Sequence, residues 1–152
     1  MTTFHYLVRG IHIADDSVLL AKEIGSANTF LPGGHIEFGE KAETALQREI
    51  LEELGKDSVV GSFIGAIEHM CPDTVMDNHE LNLVFGIQVK NISVGRPPRS
   101  QEPHLEFLWA KIQEIEHYNL LPSPLVDLIR WQGEPKRSYW ASTLKAKALP
   151  AT

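Results

Sequence analysis

The stretch Gly33–Lys56, GGHIEFGEKAETALQREILEELGK, decides how the rest of the chain is read. Pro32 and two glycines form a hard stop for regular structure. Beyond them the pattern turns helical. Leu46, Ile50 and Leu54 recur every four residues with Ala42 and Ala45 on the flank, which predicts a helix over residues 41–54. Gly55 stands where a left-handed cap ends such a helix. At about 100° per residue, Glu52 lies about 60° to one side of Glu49 and Glu53 about 40° to the other. The three carboxylates therefore share a stripe about 100° wide. Ala45, Leu46 and Ile50 lie on or beside that stripe, so it borders the buried face.

Such a stripe is unfavourable by itself. Like charges three and four residues apart each cost about 0.2–0.5 kcal/mol. Glu52 and Glu53 also occupy the last turn, where the helix dipole disfavours anions by roughly 0.3–1 kcal/mol. A divalent cation would reverse both penalties. Hard carboxylate oxygens without cysteine or clustered histidine suit Mg²⁺ or Mn²⁺. The Pro-Gly-Gly turn can bring a backbone carbonyl to the same place as a further oxygen ligand.

The segment resembles the Nudix box. That pattern is Gly, five residues, Glu, seven residues, Arg-Glu, an aliphatic, any residue, Glu-Glu, any residue, Gly, and an aliphatic. Gly34, Glu40, Arg48, Glu49, Ile50, Glu52, Glu53 and Gly55 match it; Lys56 departs from it, standing where the family prefers an apolar residue. The resemblance implies an α/β/α sandwich with a mixed β-sheet between helices. It implies Mg²⁺-dependent hydrolysis, with Mn²⁺ as a second metal, of the pyrophosphate bond in a nucleoside diphosphate linked to another group. The substrate is then a nucleoside triphosphate or an ADP-ribose-like molecule. A silent relative that only senses nucleotides would usually show a broken box, and this box is whole.

By position in the box, Glu49, Glu52 and Glu53 resemble the metal ligands, with the carbonyl of Gly34 as an additional one. Glu49 is also the favoured general base. Arg48 resembles the arginine that orients the glutamates, with Glu40 as its ion-pair partner. Relatives often recruit another carboxylate from a loop; Glu102 is the first choice, with Glu80 and Glu106 as rivals. His35, beside the glycines, is a candidate substrate contact. Phe30 and Trp109 are candidates to stack on a nucleobase. Pro72, sixteen residues past Lys56, tilts the reading toward the ADP-ribose-cleaving branch. Cys71 has no evident neighbouring base and reads as an inert thiol.

The flanks agree with a layered fold of mixed strands and helices. Strands are expected over residues 4–13, 18–21, 59–70, 78–90 and 105–109, and a second helix opens at Ser123-Pro124. In the strand 78–90, Leu81, Leu83, Phe85, Ile87 and Val89 alternate with more polar positions and predict one apolar face. Residues 1–132 are expected to form the catalytic domain. Residues 133–152 carry four Lys/Arg against one Glu and read as a loosely held basic extension, with at most a short helix.

At 152 residues the chain is long enough for one domain with its own core. Its formal net charge of −6 argues against a broad electrostatic grip on nucleic acid. No apolar run reaches the roughly 18–20 residues of a membrane span, and MTTFHYLVRG is not expected to act as a signal peptide. One cysteine excludes an internal disulfide and suits the cytoplasm. A homodimer is expected, with the basic extension contributing through Tyr139 and Trp140.

Overall fold

A computed structural model describes residues 3–71, 78–131 and 138–145. Among these residues eight strands and two α-helices follow one another as β1 (Thr3–Ile11), β2 (Ile13–Ala14), β3 (Ser17–Glu23), β4 (Gly33–His35), α1 (Ala42–Leu54), β5 (Ser58–Cys71), β6 (Asn78–Val89), β7 (Leu105–Lys111), α2 (Leu125–Trp131) and β8 (Tyr139–Ser142). A short 3₁₀ helix, Ile112–Tyr118, joins β7 to the segment before α2. The strands make a five-stranded sheet, β4-β1-β6-β5-β8, and a three-stranded one, β2-β3-β7. Pairing is parallel between β1 and β6 and between β5 and β8, and antiparallel elsewhere.

Two apolar clusters explain the layering. On one side Ala45, Leu46, Ile50 and Leu54 of α1 pack with Val8, Leu19, Phe85 and Ile87. On the other, Leu125, Leu128 and Ile129 of α2 pack with Ile11, Leu20, Ile67 and Val84. Successive strand residues point to opposite faces, so β3 sends Leu19 and Ala21 to one cluster and Val18 and Leu20 to the other. A strand covered on both faces must be apolar where it is covered, as β3 is over residues 18–21. Each such Leu or Ile stabilises by about 1.5–3 kcal/mol. The sheets lie between helices, so the expected α/β/α sandwich is the observed one.

Three expectations are corrected. The Pro-Gly-Gly stop instead leads into a strand: β4 pairs antiparallel with β1, placing Gly33 opposite Arg9 and Gly34 opposite Val8. Gly33 has φ 137°, and a Cβ there would lie 2.0 Å from the Val8 carbonyl oxygen. Only glycine permits that approach.

In β6 the predicted apolar face is divided. Phe85, Ile87 and Val89 are buried, but so are Asn82 and Val84 on the other face, while Leu81 and Leu83 are half-buried. The strand is covered on both sides, and β5 opposite it breaks register between Val60 and Gly65.

In the C-terminal extension, Tyr139–Ser142 is strand rather than helix. It adds to β5 in parallel, Gly65 opposite Tyr139 and Glu68 opposite Ser142. Tyr139 packs against the α2 cluster and stacks on Trp131 at 6.1 Å. Pro72, Lys136, Arg137 and Lys147 lie outside the described residues. No described helix is long and apolar enough to cross a membrane.

Candidate active site

Helix α1 starts after Lys41, an extended residue with no side-chain cap, and ends at Gly55. Gly55 has φ 63° and donates its N–H to the Leu51 carbonyl, the left-handed cap expected of glycine there. The carboxylate stripe does not sit evenly on the surface. Glu53 is 4% exposed and faces inward with Ile50 and Leu54. The Glu49 side chain is 15% exposed, and that of Glu52 is half-exposed.

Arg48 organises the approach to these groups. Its guanidinium grips Glu40 with two bonds, Nε to Oε1 at 2.9 Å and Nη2 to Oε2 at 3.0 Å. It also donates to the His35 carbonyl at 3.0 Å, to Glu49 at 3.0 Å and to Glu52 at 3.3 Å. Hydrogen bonds with Glu40 above all, then with Glu49 and Glu52, raise the Arg48 pKa and keep it charged. The same bond lowers the Glu40 pKa. One side chain thus ties β4, the loop after it and α1 into a single corner.

Glu53 accepts a hydrogen bond from the Gly33 amide at 3.4 Å. Burial pushes its carboxyl up to about 8, against the opposing pull of Arg9 and that amide. Glu49 is raised as well, again by burial first, with Arg48 opposing. Gly34 abuts Glu49: a Cβ at Gly34 would lie 2.5–2.6 Å from the carboxylate atoms. Its missing side chain leaves backbone and carboxylate side by side.

Arg9 is the residue that sequence reasoning missed. It lies on β1, donates to the carbonyls of Leu31 and Gly33 at 3.2 Å each, and reaches Asn82 at 3.4 Å. Phe30 covers it, with the guanidinium 5.4 Å from the ring centre. Burial lowers the Arg9 pKa, while Glu53, Glu80 and Glu49 hold it up. Its signal was a charge inside the apolar run Leu7-Val8-Arg9-Gly10-Ile11. A charge is rarely buried without partners.

Arg9, Phe30, His69, Glu80 and Asn82 line a cleft of about 310 Å³. The pairing explains how the cleft forms. Glu80 on β6 stands opposite His5 on β1 and His69 on β5, so the three share one rung of the sheet. His69 is held from outside by Thr143 Oγ1 at 3.0 Å. Phe30 and Glu80, both singled out in the sequence, lie in this lining.

Glu102 is carried toward Glu53 by its loop. The Gln101 amide donates to the Glu53 carbonyl at 2.7 Å, and the Glu102 charge adds to the upward push on Glu53. Its carboxylate also meets His104 at 3.3 Å. Glu106 is placed elsewhere, near Lys22 on the smaller sheet. The His35 ring is exposed beside His5 at 2.8 Å and does not line the cleft.

Trp109 does not line the cleft either, contrary to its expected stacking role. It packs against the α1 cluster and on His12, 5.6 Å between ring centres. Its strand position opposite Leu19 turns it inward.

The donor set fits a hard divalent cation: two carboxylates raised by burial, an exposed third, and a glycine backbone with no Cβ in the way. Among the described residues these groups are not gathered into a ready three-group cage, because Arg48 draws Glu49 and Glu52 to itself.

The NUDIX domain profile matches residues 4–132. The nucleoside triphosphatase NudI of Escherichia coli is 28% identical over 122 residues, covering 70% of this chain and 81% of that protein. A NUDIX hydrolase from Nitrosomonas europaea superposes with TM-score 0.67 at 27% identity, over 84% of this chain and 87% of its own. The MutT NUDIX hydrolase of Burkholderia pseudomallei shares the fold at TM-score 0.59 and 22% identity, over 84% and 94%. With the intact box on α1, the carboxylates against β4 and this match across nearly the whole described body, the chain belongs to the NUDIX family and is a pyrophosphohydrolase.

Proposed function

We propose that the protein hydrolyses the pyrophosphate linkage of a nucleoside triphosphate or an ADP-ribose-like nucleotide, with Mg²⁺ as the working metal and Mn²⁺ as a substitute. Hydrolases of this family use divalent ions. The observation that carries the reading is the placement of Glu49 and Glu53, both raised by burial, against the Gly33–Gly34 strand. Glu49, Glu52, Glu53 and the Gly34 carbonyl would hold the metal. A divalent ion held there would supply polarisation of phosphoryl oxygens and a lowered pKa of the attacking water. Glu49 accepts the proton of the attacking water, and its burial keeps it a better base than an exposed carboxylate. Arg48, fixed by Glu40, orients Glu49 and Glu52. Glu102 stands near Glu53 to assist from the loop. Phe30 stacks on the base in the cleft, and His35 reaches the substrate from the exposed edge.

A panel of nucleoside triphosphates and nucleoside diphosphate sugars, assayed with Mg²⁺ and with Mn²⁺, tests the reading through release of phosphate, pyrophosphate or mononucleotide. Turnover is expected with at least one class. Replacing both Glu52 and Glu53 by Gln should lower kcat by orders of magnitude while leaving the fold intact. Full activity in that variant would remove the metal-ligand assignment.

A further inference from the structure

A second recess lies past the C-terminal end of α1. Lys56, Arg96 and Arg99 line a cavity of about 420 Å³ together with Pro97, Pro98 and Gln101. That volume is in the range of small-molecule sites. Three cations in one recess are unexpected on a chain of net charge −6. Among the described residues Lys22 pairs with Glu106, Arg48 with Glu40 and Arg130 with Glu116, all away from this recess. No ion pair among the described residues holds Lys56, Arg96 or Arg99. Lys56 is also the one box position that departs from the family pattern.

The walls are built in advance. The Arg96 amide donates to the Ser93 carbonyl at 3.2 Å, and the Gln101 amide is tied to the Glu53 carbonyl at 2.7 Å. Two prolines stiffen the span between those anchors. Ordering cost on binding is therefore reduced. Two guanidinium forks and one ammonium match the oxygens of a multiply charged phosphate group better than a single carboxylate.

We propose that this recess is an anion site, separate from the carboxylate centre, that takes the di- or triphosphate group of a small molecule. The source is free pyrophosphate or the phosphates of a nucleotide.

The test uses the full chain in EDTA, with inorganic pyrophosphate as the probe. Without metal the carboxylate centre repels anions, so binding there does not compete. One equivalent is expected to bind, with amide NMR shifts concentrated at Lys56 and in residues 91–101. Affinity should fall at least tenfold in the variant Lys56→Leu/Arg96→Gln/Arg99→Gln and stay unchanged in Glu52→Gln/Glu53→Gln. Raising salt from 50 to 200 mM should weaken it, since the site faces solvent. The single change Arg96→Glu, at an exposed position, provides the same readout should the triple variant fold poorly. A nucleoside diphosphate in a parallel titration assigns the source: tighter binding than pyrophosphate means a nucleotide, weaker means free pyrophosphate. Absence of pyrophosphate binding, or binding indifferent to the cation substitutions, overturns the proposal. Hydrolysis is not measured, so the outcome is independent of the reading of the catalytic centre.

Discussion

Glu53 sets the balance between stability and chemistry. Burial raises its carboxyl from 4.5 to about 8. Between those values the folded protein holds a proton that the unfolded chain has lost. Stability without metal is therefore greatest at the acid end of that window and falls as pH rises toward 8. His12, His35 and His69 act in the opposite sense below 6.5, because burial lowers their pKa values. The clean interval is thus about pH 6.5 to 8. Melting in EDTA across it should show Tm falling for the native chain and nearly flat for Glu53→Gln. Equal slopes for both would mean that Glu53 is not the group responsible. Metal binding needs the deprotonated carboxylate, so added Mg²⁺ should restore stability at pH 8 more than at pH 6.5.

The two glycines of β4 separate fold from site. At Gly33 a Cβ meets backbone, whereas at Gly34 the nearest atoms are the movable end of Glu49. Gly34→Ala should leave stability within about 1 kcal/mol of the parent. It should nonetheless remove most activity, because Glu49 must turn away. A large loss of Tm, measured by circular dichroism, would contradict this division.

At the scale of elements, Arg48 is the side chain that joins the loop, β4 and α1 at their corner. Its bonds to Glu40 and the His35 carbonyl span both ends of the loop. Arg48→Ala should lower Tm by several degrees and kcat together. A rise in KM with Tm unchanged would instead make Arg48 a substrate contact.

The helix and its cap were legible in the sequence because α1 obeys a local periodicity and Gly55 a local backbone need. The stripe was legible too, but its division into buried Glu53 and half-exposed Glu52 depends on what packs above it. Strand β4 escaped notice because its reason lies in β1, where the Val8 carbonyl approaches Gly33. Arg9 escaped for the same kind of reason: its partners come from β4, β6 and α1, none of them adjacent in sequence. Trp109 was misplaced because the residues flanking an aromatic do not say which face of its strand is covered.

For the whole molecule, β8 is the outer strand of the larger sheet, and its pairing with β5 covers only residues 65–68. The preceding part of β5 exposes Val59 and Phe63, and β8 exposes Trp140. Such edges favour pairing with another chain. A homodimer mass is therefore expected from light scattering of the full chain. A chain ending after Trp131 should shift toward monomer and lose stability as Tyr139 leaves the core. A monomeric mass for both chains would refute the dimer, and an unchanged dimer on truncation would refute the part of β8 in it.

The grip of Thr143 on His69 also bears on how the protein is made. Thr143 leaves the ribosome 74 residues after His69, the side chain it must dock against. A nascent chain stalled between the two would carry its acidic helix complete while this wall of the cleft still lacked its outer support.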